Sequence, residues 1–270
     1  MANNLLKGKK GIIFGAMDEN SIAWKVAEQA HSEGAELLLT NVPVAIRMGK
    51  VNELAEKLGT EIIPADATSI EDLTKLLSVA EEKYGKLDFV LHSIGMSLNV
   101  RKKKAYTDLN YDFLQKTYDI SAVSFHKLMQ LLYQKELMND WGSILALSYI
   151  AAQRTFSEYN DMAESKALLE SYARSFGYHF GVKNKVRVNT ISQSPTPTTA
   201  GSGVSGFDKM LHYGEIMSPL GNATADECAA YCVMMFSDYT KKVTMQNLFH
   251  DGGFSSMGVS NAILDYFKES

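Results

Sequence analysis

Along this chain, short aliphatic or β-branched runs alternate with longer stretches whose apolar residues recur three and four apart. The first pattern marks strands and the second amphipathic helices. Residues 11–15 read as a strand. Residues 21–33 read as a helix, with Ile22, Ala23, Val26, Ala27 and Ala30 on one face and Gly34 at its stop. Strand 36–40, a short helix over 50–58 and strand 61–64 follow. Ser69, with Asp72 three residues on, predicts a capping box in which Asp replaces the usual Glu. The helix behind it carries Leu73, Leu76, Leu77 and Ala80 on its apolar face and ends at Gly85. Strand 87–92, a long helix near 121–137, strand 143–147, a helix over 159–180 and strand 185–191 come next. A loop with Pro195, Pro197, Gly201 and Gly203 leads to a helix near 225–236 and a last strand at 247–251.

Sustained alternation of this kind predicts an α/β fold. The expected form is one doubly wound, Rossmann-type domain with a mainly seven-stranded parallel sheet and helices on both faces. Ligands of such sheets bind beyond the carboxyl ends of the strands, where the strand order reverses. The sequence holds no internal repeat, low-complexity tract or linker, so residues 1–270 are expected to form a single domain.

Composition removes several function classes. Hydrophobic residues make up 46% of the chain, which excludes wholesale disorder. The net charge of -4 gives no basic field for nucleic acid. No run of 18 or more apolar residues exists, so no membrane span is expected, and residues 1–10 lack a signal core. A reducing cytoplasm is the expected location. Cys228 and Cys232 stand four apart on one helix without a second ligand pair, and read as buried small residues. The six histidines show no paired metal spacing, so no metal is expected.

Candidate chemistry lies at the strand ends. Only Gly15 remains of the usual G-x-G-x-x-G, in a turn that reaches a helix near Ser21. Such a turn still offers unpaired N–H groups and a positive dipole end to a pyrophosphate, and Ser21 can cap the helix. Read alone, the same residues suit a plain capping loop. Neither an acidic residue nor an arginine ends the second strand at Thr40, Asn41 and Val42. This leans towards NADH and leaves NADPH open. Asp66, before Ala67, is placed to accept from an adenine amino group or to make a turn. Gly95, after Ser93 and Ile94, allows close backbone approach.

Tyr159 and Lys166, seven residues apart, are expected on one helix face about 10 Å apart at the backbone. The ammonium would then favour negative charge on the tyrosine side and polarise the phenol. Tyr149 lies ten residues upstream, also at a strand end. A run of Arg101, Lys102, Lys103 and Lys104 reads either as a solvated loop or as a dock for an acidic partner.

These residues carry a resemblance. Leu147-Ser148-Tyr149 followed by Tyr159-Asn160 and Lys166-Ala167 resembles the short-chain dehydrogenase/reductase superfamily, and within it the enoyl-acyl-carrier-protein reductases. Ordinary members carry Tyr-x3-Lys, but the fourth residue after Tyr159 is Ala163. Further matches are Gly15 before Ser21-Ile22-Ala23, Glu33 to Leu37, His92 to Gly95, Val186 to Asn189, and Asp251-Gly252-Gly253-Phe254.

The resemblance implies reduction of an enoyl thioester in fatty-acid synthesis, with NADH (NADPH possible) and an acyl carrier protein as partner. It implies a homotetramer built from the late helices and last strand. It implies that Tyr159 hydrogen-bonds the thioester carbonyl, that Lys166 holds the nicotinamide ribose, and that Tyr149 lines the acyl pocket. Gly15, Ser21 and Ile22 would hold the pyrophosphate, Asp66 and Ala67 the adenine, and Ser93, Ile94 and Gly95 the adenosine ribose side. Thr196 would open a substrate-binding loop over about 193–222, which also touches cofactor. Met96, Val204, Phe207 and Met210 would complete the apolar wall. One departure is Gln193-Ser194-Pro195 where the family usually has Ala-Gly-Pro, so Ser194 must find a backbone angle open to serine. Two other readings are a carbonyl reductase of the same fold and a non-catalytic NAD(P)-sensing protein.

Overall fold

A computed structural model describes residues 3–199, 201 and 206–266, the last by its backbone alone. The strands are β1 (Lys10–Phe14), β2 (Glu36–Thr40), β3 (Glu61–Ile62), β4 (Leu87–His92), β5 (Met138–Ser148), β6 (Arg187–Gln193) and β7 (Asn247–His250). They pair in parallel throughout, in the order β3-β2-β1-β4-β5-β6-β7. The order reverses between β1 and β4, which places the switch point where Phe14 pairs His92. The helices in chain order are α1 (Ile22–Ser32), α2 (Pro43–Met48), α3 (Val51–Leu58), α4 (Ile70–Tyr84), α5 (Leu98–Arg101) and α6 (Tyr111–Tyr118). They continue with α7 (Ser124–Gln134), α8 (Met162–Asn184), α9 (Phe207–Met217), α10 (Ala225–Phe236) and α11 (Asn261–Tyr266).

Alternation within each strand feeds two cores. Ile13, Leu37, Leu39, Leu91, Leu145 and Ile191 pack against α1, α3 and α10. Ile12, Phe14, Leu38, Val90, Ile144 and Val188 pack against α4, α7 and α8. A period of two with both sets apolar is what a sheet covered on both faces requires. Cys228 and Cys232 are fully buried in the first core, where α10 lies on α1. Among the described residues no helix is long and apolar enough to cross a membrane.

The expected elements hold with corrections. β3 is two residues long, not four. The Ser69 hydroxyl does accept from the Asp72 amide at 3.2 Å, but Asp72 reaches the Asp66 amide instead of closing a box. Asp is one carbon shorter than Glu, and its carboxylate finds the preceding turn. The helix expected near 121–137 begins with α6 and runs through a π turn, Asp119–Val123, into α7. β5 starts at Met138, because its early residues bulge around Trp141 at φ 64° before pairing resumes at Ser143. The segment 193–222 is not a plain loop, since α9 occupies much of it.

Candidate active site

Gly15 lets β1 and β4 turn away at the same rim. Its φ is +95°, and an added Cβ would sit 2.0 Å from the Ser93 carbonyl oxygen. Only glycine meets both conditions. The Ser21 hydroxyl does not cap α1 as expected. It accepts from the Met17 amide at 3.3 Å and donates to the Asp18 carbonyl at 2.7 Å, bracing the loop itself. With no side-chain cap and no acidic residue in the first turn, the positive end of α1 is open to an anion. Asn41 at the end of β2 donates to the Ala16 carbonyl at 3.0 Å and steadies the same loop. Beyond β3, Asp66 makes a turn: its Oδ1 accepts from the Thr68 amide and hydroxyl, both at 2.8 Å. Its Oδ2 has no hydrogen-bond partner among the described residues, and Ala67 beside it is buried.

The other expected site residues gather in one cleft of about 220 Å³. Ile22 reaches it from α1, and Ser93, Ile94, Gly95 and Met96 from the loop after β4. Tyr149 and Tyr159 come from the segment after β5, Lys166 from α8, Thr196 from the end of β6, and Phe207 and Met210 from α9. Val204 lies outside the described residues. Gly15, Ser21, Asp66 and Ala67 do not line the cleft, but sit along the same strand-end rim.

Tyr159 and Lys166 meet by a different route from the one expected. Helix α8 starts at Met162, so Tyr159 stands in the preceding turn. Asn160, with φ 53°, is left-handed and breaks the helical path. The two side chains therefore converge from a turn and a helix, not from one helix face. The Tyr149 and Tyr159 rings lie 4.9 Å apart at 50°, with Phe156 and Met210 packed around them.

Lys166 is buried and donates to the Leu147 carbonyl at 2.7 Å. Burial lowers its pKa from 10.5 to about 8, with the Glu170 carboxylate opposing that fall. Glu170 is itself held by the Ser148 hydroxyl at 2.6 Å and the Gln153 amide at 3.1 Å. Burial pushes the Tyr159 phenol up, and the Tyr149 phenol further up. With its pKa raised, Tyr159 keeps its proton and is a hydrogen-bond donor. His92, fully buried at the end of β4, is pushed down to about 3 by burial and then by Lys166, so it stays neutral.

Several contributors went unseen in the sequence. The π turn brings Ser121 to the loop after β4, where it accepts from the Met96 amide at 3.0 Å. It brings Ser124 to within 2.9 Å of His92 Nε2. A π turn inserts one extra residue into a helix and is common at functional sites. Met162 and Gln193 also line the cleft. Gln193 ties the ends of β6 and β7 through His250 Nδ1 at 2.7 Å and donates to Thr196 at 3.1 Å. Ser194 sits outside the left-handed region and accepts from the Ala223 amide at 2.8 Å, so the departure from glycine is accommodated. Arg101 lines the cleft, while Lys102, Lys103 and Lys104 are exposed beside it. Among the described residues no group of three or more His, Cys, Asp or Glu side chains could hold a metal ion.

A switch-point cleft with an open helix end, a buried amine and a neutral phenol defines a dinucleotide-dependent oxidoreductase of the Rossmann type. Residues 15–255 match the family described as enoyl-(acyl carrier protein) reductase. The chain belongs to that family, within the short-chain dehydrogenase/reductase superfamily. It is 34% identical over 266 residues to the NADH enoyl-[acyl-carrier-protein] reductase FabI of Rickettsia typhi, covering 97% of this chain and 100% of that protein. It superposes on the FabI–NADH complex from Alistipes finegoldii with a TM-score of 0.94 at 65% identity, covering 95% and 91% of the two chains. The Bacillus cereus reductase solved with NADP+ and an indole naphthyridinone gives a TM-score of 0.88 at 30% identity, covering 94% and 99%.

Proposed function

We propose that this chain reduces the trans-2 double bond of enoyl thioesters on acyl carrier protein, in fatty-acid synthesis, with NADH. The observation that carries this is the convergence of Tyr149, Tyr159 and Lys166 on one cleft at the switch point. The residues present fit a dinucleotide. Gly15 keeps the loop free of a side chain where a Cβ would strike Ser93, and α1 presents an uncapped N-terminus. When bound, NADH would supply the hydride for the β-carbon, and a proton drawn from solvent would complete the α-carbon.

The chain's own residues do the rest. Gly15, Ser21 and Ile22 hold the pyrophosphate, Ser21 through its backbone because its hydroxyl is engaged. Asp66 offers Oδ2 to the adenine amino group, with Ala67 against the ring. Ser93, Ile94 and Gly95 would hold the adenosine ribose side, and Thr196 would contact the cofactor at the start of a substrate segment over about 193–222. Lys166 has three N–H donors, one spent on Leu147, and gives the others to the nicotinamide ribose. Tyr159 donates to the thioester oxygen as charge gathers there, which is oxyanion stabilisation. Tyr149, Met96, Phe207 and Met210 would wall the acyl chain. The departures from an ordinary carbonyl reductase begin at Ala163, where that class carries its lysine.

A cytoplasmic location and a homotetramer belong to the same reading. Both cysteines are unpaired and buried. The sheet edge β7 and the following segment expose Phe249, Val259 and Leu264, apolar area suited to another subunit.

The test is NADH consumption with a crotonyl thioester, presented on acyl carrier protein and on coenzyme A. The protein should oxidise NADH with both. Replacing Lys102, Lys103 and Lys104 together by alanine, with Arg101 kept because it lines the cleft, should lower kcat/KM about tenfold on the carrier-bound substrate, through lost steering. It should leave the coenzyme A substrate within about twofold. Equal losses on both would remove carrier docking from this run. No oxidation by the unaltered protein would end the enoyl reductase reading.

The lysine predicts a pH dependence. Its folded pKa is depressed, so the folded chain releases this proton near pH 8, while the unfolded chain holds it to about 10.5. Its contribution to folding stability therefore rises with pH between those values. Ribose binding moves the other way, because it favours the ammonium. NADH affinity should fall as pH rises through about 8, approaching tenfold per pH unit above it. Lys166→Met should bind more weakly and without that slope. The same slope in both proteins, read by fluorescence titration, would assign it to another group.

A further inference from the structure

Asp161 follows the Tyr159–Asn160 pair and occupies the N-cap position of α8. An aspartate there normally accepts from the second or third amide of its own helix. This one makes no such bond. It is completely buried and has no cation within ion-pair distance among the described residues. Its oxygens cross instead to the loop after β4. The Ser97 hydroxyl donates to Oδ1 at 2.5 Å, and Asn99 Nδ2 donates to Oδ2 at 2.8 Å. Asn99 is also fully buried, and its Oδ1 accepts from the Asn110 amide at 3.1 Å.

Burying an unpaired carboxylate is costly, and two hydrogen bonds plus the dipole of a 23-residue helix offset only part of that cost. The side chain has given up local capping to hold a distant loop. The neighbouring Asn160 does the same, donating to the Lys104 carbonyl at 2.7 Å. The turn that carries Tyr159 is therefore stapled at two consecutive residues to one loop, which also forms a wall of the cleft.

We propose that Asp161 is a positioning residue: through Ser97 and Asn99 it locks the Tyr159 turn to the loop after β4, so that the phenol and the facing cleft wall keep a fixed separation. The inference rests on the enoyl reductase reading for its consequence in turnover. Its structural half does not need that reading. Asp161 touches no reacting atom. The cofactor side of the same loop is held separately, by Ser121 on Met96. Loss of the staple should therefore show in kcat more than in cofactor affinity.

Asp161→Asn keeps size and shape but sets an NH2 group against the Asn99 NH2 group. It should lower kcat on a crotonyl thioester about tenfold, with the NADH Kd changed less than threefold. Amide hydrogen exchange in residues 157–163 should quicken. Adding Asn99→Asp turns the donor–acceptor pair round and loses only the 3.2 Å bond from Asn99 Nδ2 to the Asn110 carbonyl, so it should raise kcat at least about threefold above the single variant and slow the exchange again. A single variant with unaltered kcat would overturn the proposal. So would a double variant no better than the single one, or parallel losses in kcat and NADH binding with a lower Tm. If the unaltered protein consumes no NADH, the reductase reading fails alone. The exchange measurement then decides the staple, which stands if the single variant quickens exchange and the double variant reverses it, and falls otherwise.

Discussion

Replacing Tyr159 by phenylalanine should lower kcat on a crotonyl thioester by about 10²–10³-fold, the usual loss when one oxyanion donor is removed. NADH affinity should stay within about twofold. The variant keeps the ring, so the tilted contact with Tyr149 at 4.9 Å and the packing on Phe156 and Met210 survive. What disappears is one O–H donor. Because burial raises the pKa of this phenol, the group is a neutral donor throughout the working pH range, and no ionised form contributes to the measured rate. Steady-state consumption of NADH and a fluorescence titration separate the two effects. Turnover equal to that of the unaltered protein would strip Tyr159 of its role.

The second large effect is expected at Gly15. Alanine there must adopt φ +95° and place its Cβ 2.0 Å from the Ser93 carbonyl oxygen. The backbone angle costs about 1–2 kcal/mol, and relieving the overlap about 1–3 kcal/mol more. A loss of about 3 kcal/mol should lower Tm by roughly 10 °C in a domain of this size. The overlap falls between β1 and β4, so relief means spreading the switch point where we propose that the pyrophosphate binds. NADH binding should weaken at least tenfold, even at temperatures where the variant is folded. Thermal melts and cofactor titration check both. A variant with unchanged Tm and unchanged Kd would show that the loop has slack the structure does not display.

Much of this architecture is legible in the residues. β2, β4 and α10 end where periodicity and breakers place them, because each carries an apolar run that stops at a polar residue, Asn41, Ser93 or Ser237. The Tyr159–Lys166 pair was visible as well, but for an incomplete reason. Helical spacing was invoked to bring the two together, whereas the left-handed Asn160 keeps Tyr159 outside α8. Tertiary contacts with Lys104 and with the loop after β4 decide that, and no local pattern reports them. The π turn is equally silent, since one extra residue in a polar-to-apolar stretch leaves a helical pattern looking like an unbroken helix. Asp161 is silent too, since the residues place it inside a helix running from 159 while its carboxylate crosses to Ser97 and Asn99. Ser21 does point the wrong way, a hydroxyl at a capping position that serves its own loop.

The thiols of Cys228 and Cys232 have a practical use. Neither is open to solvent, and the Cys232 thiol is held protonated by the hydrogen bond it donates to Cys228 and by burial. Alkylating reagents need an accessible thiolate. Their rate of reaction with this chain therefore measures how often α10 lifts from α1 and says nothing of the cleft chemistry. The protein carries an intrinsic label for local opening, installed one helix away from the loop that joins β1 to α1.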